Sequence, residues 1–219
     1  MTAPSPPPSR SPRRTKLEQA ALYDHLVQTS LQLFAEGGYE AISMRRLACA
    51  VDMPPMSLYR YFPTKGHLIR HIWEYVLANA AERARITSAE AENPVARLRS
   101  FVATFVQYWV EHRDHYWIVF SSRPSLSGPR SQDHLVDLQF DSQPIFDAIS
   151  ELLDALPASR RASSDQKRLL IELLLCKILG YLFGTIGQVM PRNCNHSLLK
   201  AHLLDDIVDQ VLRFDAAAR

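Results

Sequence analysis

The chain has 219 residues, 47% apolar and 22% charged, with a net charge of +2, which are the proportions of a soluble globular protein long enough to bury a core. Its seven glycines and the lack of any alternating strand pattern exclude a β-rich fold and point to helices throughout. The charge is unevenly placed: residues 1–70 hold nine Lys/Arg against five Asp/Glu, whereas the remainder carries a small acidic excess, an asymmetry expected when one end meets phosphates.

Residues 1–15 are rich in Pro, Ser and Arg and cannot build a core, so they read as a disordered basic tail. A helical pattern follows from Lys16 to about Glu36, with Leu22, Leu26, Thr29, Ser30, Leu33 and Phe34 on one stripe, and Gly37-Gly38 stops it. Ser43 is placed to cap a short second helix, Met44 to Ala50, with Met44, Leu47, Ala48 and Val51 inward. After a break at Asp52-Met53-Pro54, Pro55 suits the first turn of a third helix running to Tyr61. Thr64 then caps a fourth helix from Lys65 into the mid-80s. Further helices are expected over 94–112, 114–121, 131–156, 164–190 and 197–214. The expected fold is all-α, with about nine helices: a three-helix head over 16–63 and an antiparallel helical bundle over 64–219.

Two short helices joined by a tight break form a helix-turn-helix, whose second helix presents one face to the major groove. Leu47, Ala48, Val51 and Leu58 supply its apolar side, leaving Met56, Ser57, Arg60 and Tyr61 outward. The stretch Phe34 to Leu68, with S-M-R-x-L-A followed by S-L-Y-R-Y-F-x-T-K, resembles the DNA-binding signature of the tetracycline-repressor (TetR) family. The resemblance implies a DNA-binding transcriptional repressor that acts as a homodimer on double-stranded operator DNA and is released by a small-molecule effector. It further implies phosphate contacts at Ser43 and the Met44 N–H, a groove-edge contact at Arg45, an exposed helix start at Pro55, Met56 and Ser57, phosphate or base-edge contacts at Tyr59 and Tyr61, and a backbone contact at Lys65. Base reading would rest on few residues: Arg45, Ser57 and Arg60. The chain departs from the family pattern at Asp52, where Gly is usual, and at Pro54, which offers no side-chain oxygen as a cap. Asp tolerates the left-handed turn moderately well.

In the body, Phe105, Tyr108, Trp109, His112, Tyr116, Trp117 and Phe120, with Glu172 and Cys176, form a candidate pocket for an apolar or aromatic effector. The same rings would equally serve as plain core. The run 169–190 is hydrophobic almost all round and must be covered on more than one side, with Gly180, Gly184 and Gly187 near one face as a candidate dimer surface. Glu172, Lys177 and Gln188 interrupt that run, so no membrane span is expected. The scattered Cys49, Cys176 and Cys194 read as reduced thiols of a cytoplasmic protein. His67/His71 and His112/His115 have metal-ligand spacing but no evident third ligand, so neither a metal nor another cofactor is expected. Glycine-rich phosphate loops, G-x-S-x-G and H-E-x-x-H are lacking, which argues against an enzyme. The alternative is a helical interaction module of the same fold with weak or lost DNA binding.

Overall fold

The computed structural model describes residues 15–120, 143–156 and 162–217. All regular structure among them is helical, in nine helices. These are α1 (Lys16–Ala41), α2 (Met44–Ala50), α3 (Pro55–Tyr59), α4 (Lys65–Ser88), α5 (Pro94–Glu111), α6 (Arg113–Phe120), α7 (Gln143–Asp154), α8 (Ser164–Ile186) and α9 (His196–Ala217). The basic tail and residues 131–142 of the helix expected over 131–156 lie outside the described residues. The chain divides into two compact units, Met1–Tyr61 and Phe62–Arg219.

In the first unit, Thr15 opens α1 with a capping box: its hydroxyl accepts from the Glu18 N–H at 3.2 Å, and its own N–H donates to the Glu18 carboxylate at 2.7 Å. Thr29 and Ser30 are buried on the inner face, their hydroxyls donating to the His25 and Leu26 carbonyls at 2.8 and 2.7 Å, so no polar group there goes unpaid. Regular helix breaks at Gly37 and Gly38, and Gly38 takes φ of 67°, a conformation glycine adopts without Cβ strain. Leu26, Val27, Ile42, Leu47, Ala48 and Leu58 are fully buried and make the small core of this head.

In the second unit, α4 packs against α5, α6 and α7, and α5 also packs against α8 and α9. Ile69, Ile72, Trp73, Val76, Leu77 and Ala80 form the buried face of α4. The Trp73 indole N–H donates to the Ile118 carbonyl at 2.6 Å in a buried bond. Ile118 lies in the last turn of α6, where carbonyls have no partner within the helix, so the indole satisfies one of these orphans. Ion pairs tie the rim, with Arg83 to Glu111 at 3.2 Å, Arg99 to Asp205 and Lys177 to Asp206. All are solvent-accessible, and each contributes little.

α8 is long and apolar enough to cross a membrane by length and composition alone, despite Glu172 and Lys177, but it packs within the second unit against α5, α7 and α9. It ends at Ile186, earlier than the expected Met190. Gln188 takes φ of 54° and the Val189 N–H reaches back to the Gly184 carbonyl at 3.3 Å, the left-handed termination that closes many helices.

Replacing Trp73 by Phe keeps an aromatic ring but leaves the Ile118 carbonyl buried without a donor. The expected loss is about 1–3 kcal/mol of unfolding free energy, read by urea denaturation of the full chain. A change below about 0.5 kcal/mol would show that the bond does not hold α4 to α6.

Candidate nucleic-acid interface

α2 and α3 are two short helices with a four-residue break, and local chemistry sets each boundary. Ser43 caps α2 by accepting the Arg46 N–H at 3.1 Å. A hydroxyl that accepts one bond keeps its own O–H to donate, so Ser43 can cap the helix and still grip a phosphate oxygen. α2 ends in a Schellman turn: the Met53 N–H donates to the Ala48 carbonyl at 2.8 Å and the Asp52 N–H to the Cys49 carbonyl at 3.3 Å. Asp52 carries the left-handed φ of 50° that the turn needs. α3 starts at Pro54-Pro55 with no side-chain cap, as Pro54 has no oxygen to offer, and Pro55 fills the position where a missing N–H costs nothing.

Leu47 and Ala48 of α2 and Leu58 of α3 are buried, and Val51 is half-buried. Outside them lie Arg45, Pro55, Met56, Tyr59 and Arg60, all exposed, with Met56 at 77% and Tyr59 at 44%. Ser57 and Tyr61 are half-buried, and the Tyr61 ring stands edge-on to Tyr23 of α1 at 5.8 Å, which fixes the end of the short helix. Met44 is buried, so the side chain is closed to DNA and only its backbone N–H remains to contribute. Arg46, which the sequence reading passed over, is exposed beside Arg45 and sits 3.9 Å from Glu36. The Arg-Arg doublet at the start of α2 was the available signal.

In the second unit, Thr64 caps α4 by accepting the His67 N–H at 3.2 Å and also meets the His67 Nδ1 at 2.8 Å. Lys65, the first residue of α4, is half-buried.

The expected pocket residues separate into two groups. Phe105, Tyr108, Trp109 and Tyr116 are buried and pack ring on ring with the half-buried Phe120, at centroid distances of 5.1–5.8 Å for Phe105–Trp109, Tyr108–Trp109, Trp109–Phe120 and Tyr116–Phe120. The His112 ring lies tilted against Tyr108 at 4.7 Å, and Trp117 is 38% exposed at the edge. Burial, reinforced by the Asp114 charge, pushes the Tyr108 hydroxyl well above its ordinary pKa, so it stays protonated. Glu172 and Cys176 do not join this cluster. The Glu172 carboxylate is turned along α8 to Arg168 at 3.0 Å, and Cys176 is exposed. A cleft of about 450 Å³ lies instead between α7 and α8, lined by Phe146, Asp147, Asp154, Lys167, Arg168 and Ile171.

The three glycines also differ from one another. Gly180 is open, whereas Gly184 is covered by Met190 of its own chain, and Gly187 sits against its own chain's Phe183 carbonyl and Val189. The latter two serve the end of α8.

A capped helix, a left-handed turn and a second helix with exposed polar and aromatic residues define a helix-turn-helix protein. Residues 26–72 match the family model for bacterial regulatory proteins of the tetR family. The repressor KstR of Rhodococcus jostii is 42% identical over 72 residues, which are 33% of this chain and 31% of that protein. The repressor DrrR1 of Streptomyces coeruleorubidus is 32% identical over 129 residues, 58% of this chain and 43% of that one. The chain thus spans less than half the length of either relative. A TetR variant from Acinetobacter baumannii, solved in complex with minocycline, superposes with a TM-score of 0.58 at 15% identity, covering 90% of this chain and 97% of that one. A TetR-like regulator from a Rhodococcus species does so at 0.54 and 15%, over 94% and 99%. These two likenesses are of fold. Over residues 26–72 the chain is thus similar to the DNA-binding segment of the TetR family.

The left-handed residue is open to a direct check. Asp52→Gly should raise stability by up to about 1 kcal/mol, whereas Asp52→Val should lower it by about 1–2 kcal/mol, because a β-branched side chain resists φ near +50°. Thermal unfolding of the two variants beside the parent decides it; equal midpoints for all three would mean that the turn stores no strain.

Proposed function

We propose that the chain is a cytoplasmic, homodimeric and sequence-specific DNA-binding regulator, and not an enzyme: a repressor that a small apolar or aromatic effector releases from its operator. The observation that carries this reading is the division of the helix-turn-helix into a buried apolar seam and an exposed face bearing Arg45, Met56, Tyr59 and Arg60. Ser43, Tyr59, Tyr61 and Lys65 take the phosphate contacts, which position the head without reading sequence. Arg45, Ser57 and Arg60 read base edges, and Met56 can meet a thymine methyl. The KstR and DrrR1 relatives, named as repressors, lend support through the stretches over which they match this chain.

Dimerisation is supported by α8. Within α8, Leu169, Leu173, Cys176, Gly180 and Phe183 recur at alternating steps of four and three residues, the spacing of a helix-pairing seam. Leu169, Leu173 and Phe183 are 57%, 46% and 59% exposed in the single chain, and Gly180 leaves room for a close approach. Effector binding is supported by Trp109, fully buried, whose indole N–H has no acceptor among the described residues; an effector oxygen would supply one. The effector would favour a body conformation in which α4 carries the two heads off their half-site spacing.

DNA from upstream of the chain's own gene should be shifted by the protein with steep salt dependence. Lys65→Ala should weaken binding on all sequences alike and lower the logarithmic salt slope by about one. Arg60→Ala should cost about 1–3 kcal/mol and relax preference at one base pair. No shift even at low salt would refute the reading and leave a helical interaction module.

For the dimer, Phe183→Glu should weaken self-association at least about tenfold without lowering monomer stability, because the side chain is exposed there. Sedimentation equilibrium reads this, and an unchanged dimer would move the interface off α8.

A further inference from the structure

We propose that the corner between α5 and α6 binds a divalent late transition-metal ion of the zinc class through His112, Asp114 and His115. Their donor atoms all lie within 4.8 Å of one another. In sequence the two histidines gave only a pair; the fold adds the carboxylate. His112 is the C-cap of α5, with φ of −114° and ψ of 69°, and α6 begins at the next residue, so the last turn of one helix and the first turn of the next converge. The imidazoles stack 4.9 Å apart and 16° from parallel. The Asp114 Oδ2 lies 3.9 Å from the His115 Nε2, beyond hydrogen-bond reach, so neither atom is committed to the other by a hydrogen bond.

The orientation of His115 is set from behind. The Tyr108 hydroxyl meets its Nδ1 at 2.8 Å, leaving Nε2 on the side of Asp114. A metal-binding imidazole is normally steered by a hydrogen bond on its other nitrogen, and Tyr108 is itself buried and packed against Trp109. All three donors are half-buried, shielded yet reachable from solvent.

Tetrahedral zinc with bonds of about 2.0–2.1 Å sets its ligands about 3.3 Å apart, so closure asks for at most about 1.5 Å of side-chain movement. Two imidazoles with one carboxylate suit zinc, nickel or copper, while magnesium and calcium prefer oxygen shells. Three protein ligands leave a position for water or for a donor atom of a bound small molecule. An ion here would staple α5 to α6, the helix whose Ile118 carbonyl holds Trp73 of α4. The site stands whether or not the chain binds DNA.

The test uses the untagged full-length chain, stripped of metal by a chelator and titrated with Co²⁺ by visible absorption and with Zn²⁺ by calorimetry. One equivalent should bind with micromolar affinity or better, and Zn²⁺ should displace Co²⁺. Asp114→Asn, His112→Ala and His115→Ala should each weaken binding at least about tenfold, and Tyr108→Phe by a smaller factor. Far-UV spectra and metal-free unfolding midpoints reveal any variant that fails to fold, and the nearly isosteric Asp114→Asn keeps the test intact if a histidine variant does. Failure of the parent to bind at about 100 μM, or undiminished binding by Asp114→Asn and the double histidine variant, would overturn the site.

Discussion

The bond from the Trp73 indole to the Ile118 carbonyl is the constraint on which the second unit turns. α6 is a short helix, and a helix of two turns in isolation does not hold itself together. Its last carbonyls have no partners of their own, and one of them is met by a buried donor on α4. The two helices are therefore locked in register by a contact that tolerates little slack. α4 also begins within four residues of the head's last residue. Whatever shifts the end of α6 must either break this bond or carry α4 with it, and breaking it leaves a buried carbonyl unpaired, at a cost comparable to a whole ligand contact.

The head was legible in the sequence because its boundaries are local. Ser43 and Pro55 start their helices by chemistry that acts within three residues, as Thr64 does for α4 of the second unit, and Gly38 and Asp52 stop or turn the chain by their own φ. No distant partner is needed to read such signals. Asp52 illustrates the point, since a departure from the usual glycine keeps the turn because a short polar side chain tolerates the left-handed region.

The body was legible in its elements and less so in its faces. α8 is apolar nearly all round, so periodicity does not say which side meets α5: the sequence groups Glu172 and Cys176 with the aromatic cluster, whereas Glu172 pairs with Arg168 along the helix and Cys176 is exposed. In sequence, Gly184 and Gly187 share a stripe with Gly180 and suggest room for a partner. What fills that room is Val189 and Met190, brought back by the left-handed turn at Gln188. That turn depends on a non-glycine residue taking positive φ, which residue type alone does not announce. Asp114 was missed as a companion of His112 and His115 for a related reason: the α5 to α6 break comes between the two histidines, and helical spacing does not hold across it.

The same features explain why control would pass through half-site spacing. Under the proposed function, a head reading bases through Arg45, Ser57 and Arg60 would have few discriminating contacts, and its remaining affinity would come from phosphates common to all DNA. One such head can be neither tight nor selective. Two heads held on one dimer gain from effective concentration, since the second binding event becomes intramolecular, but only while their separation matches the operator. In such a dimer, a change in head separation would remove that avidity gain without changing a contact in either head. On that proposal, weak individual heads are what would make occupancy sensitive to a modest change in their spacing, because the gain from pairing them would be most of the affinity.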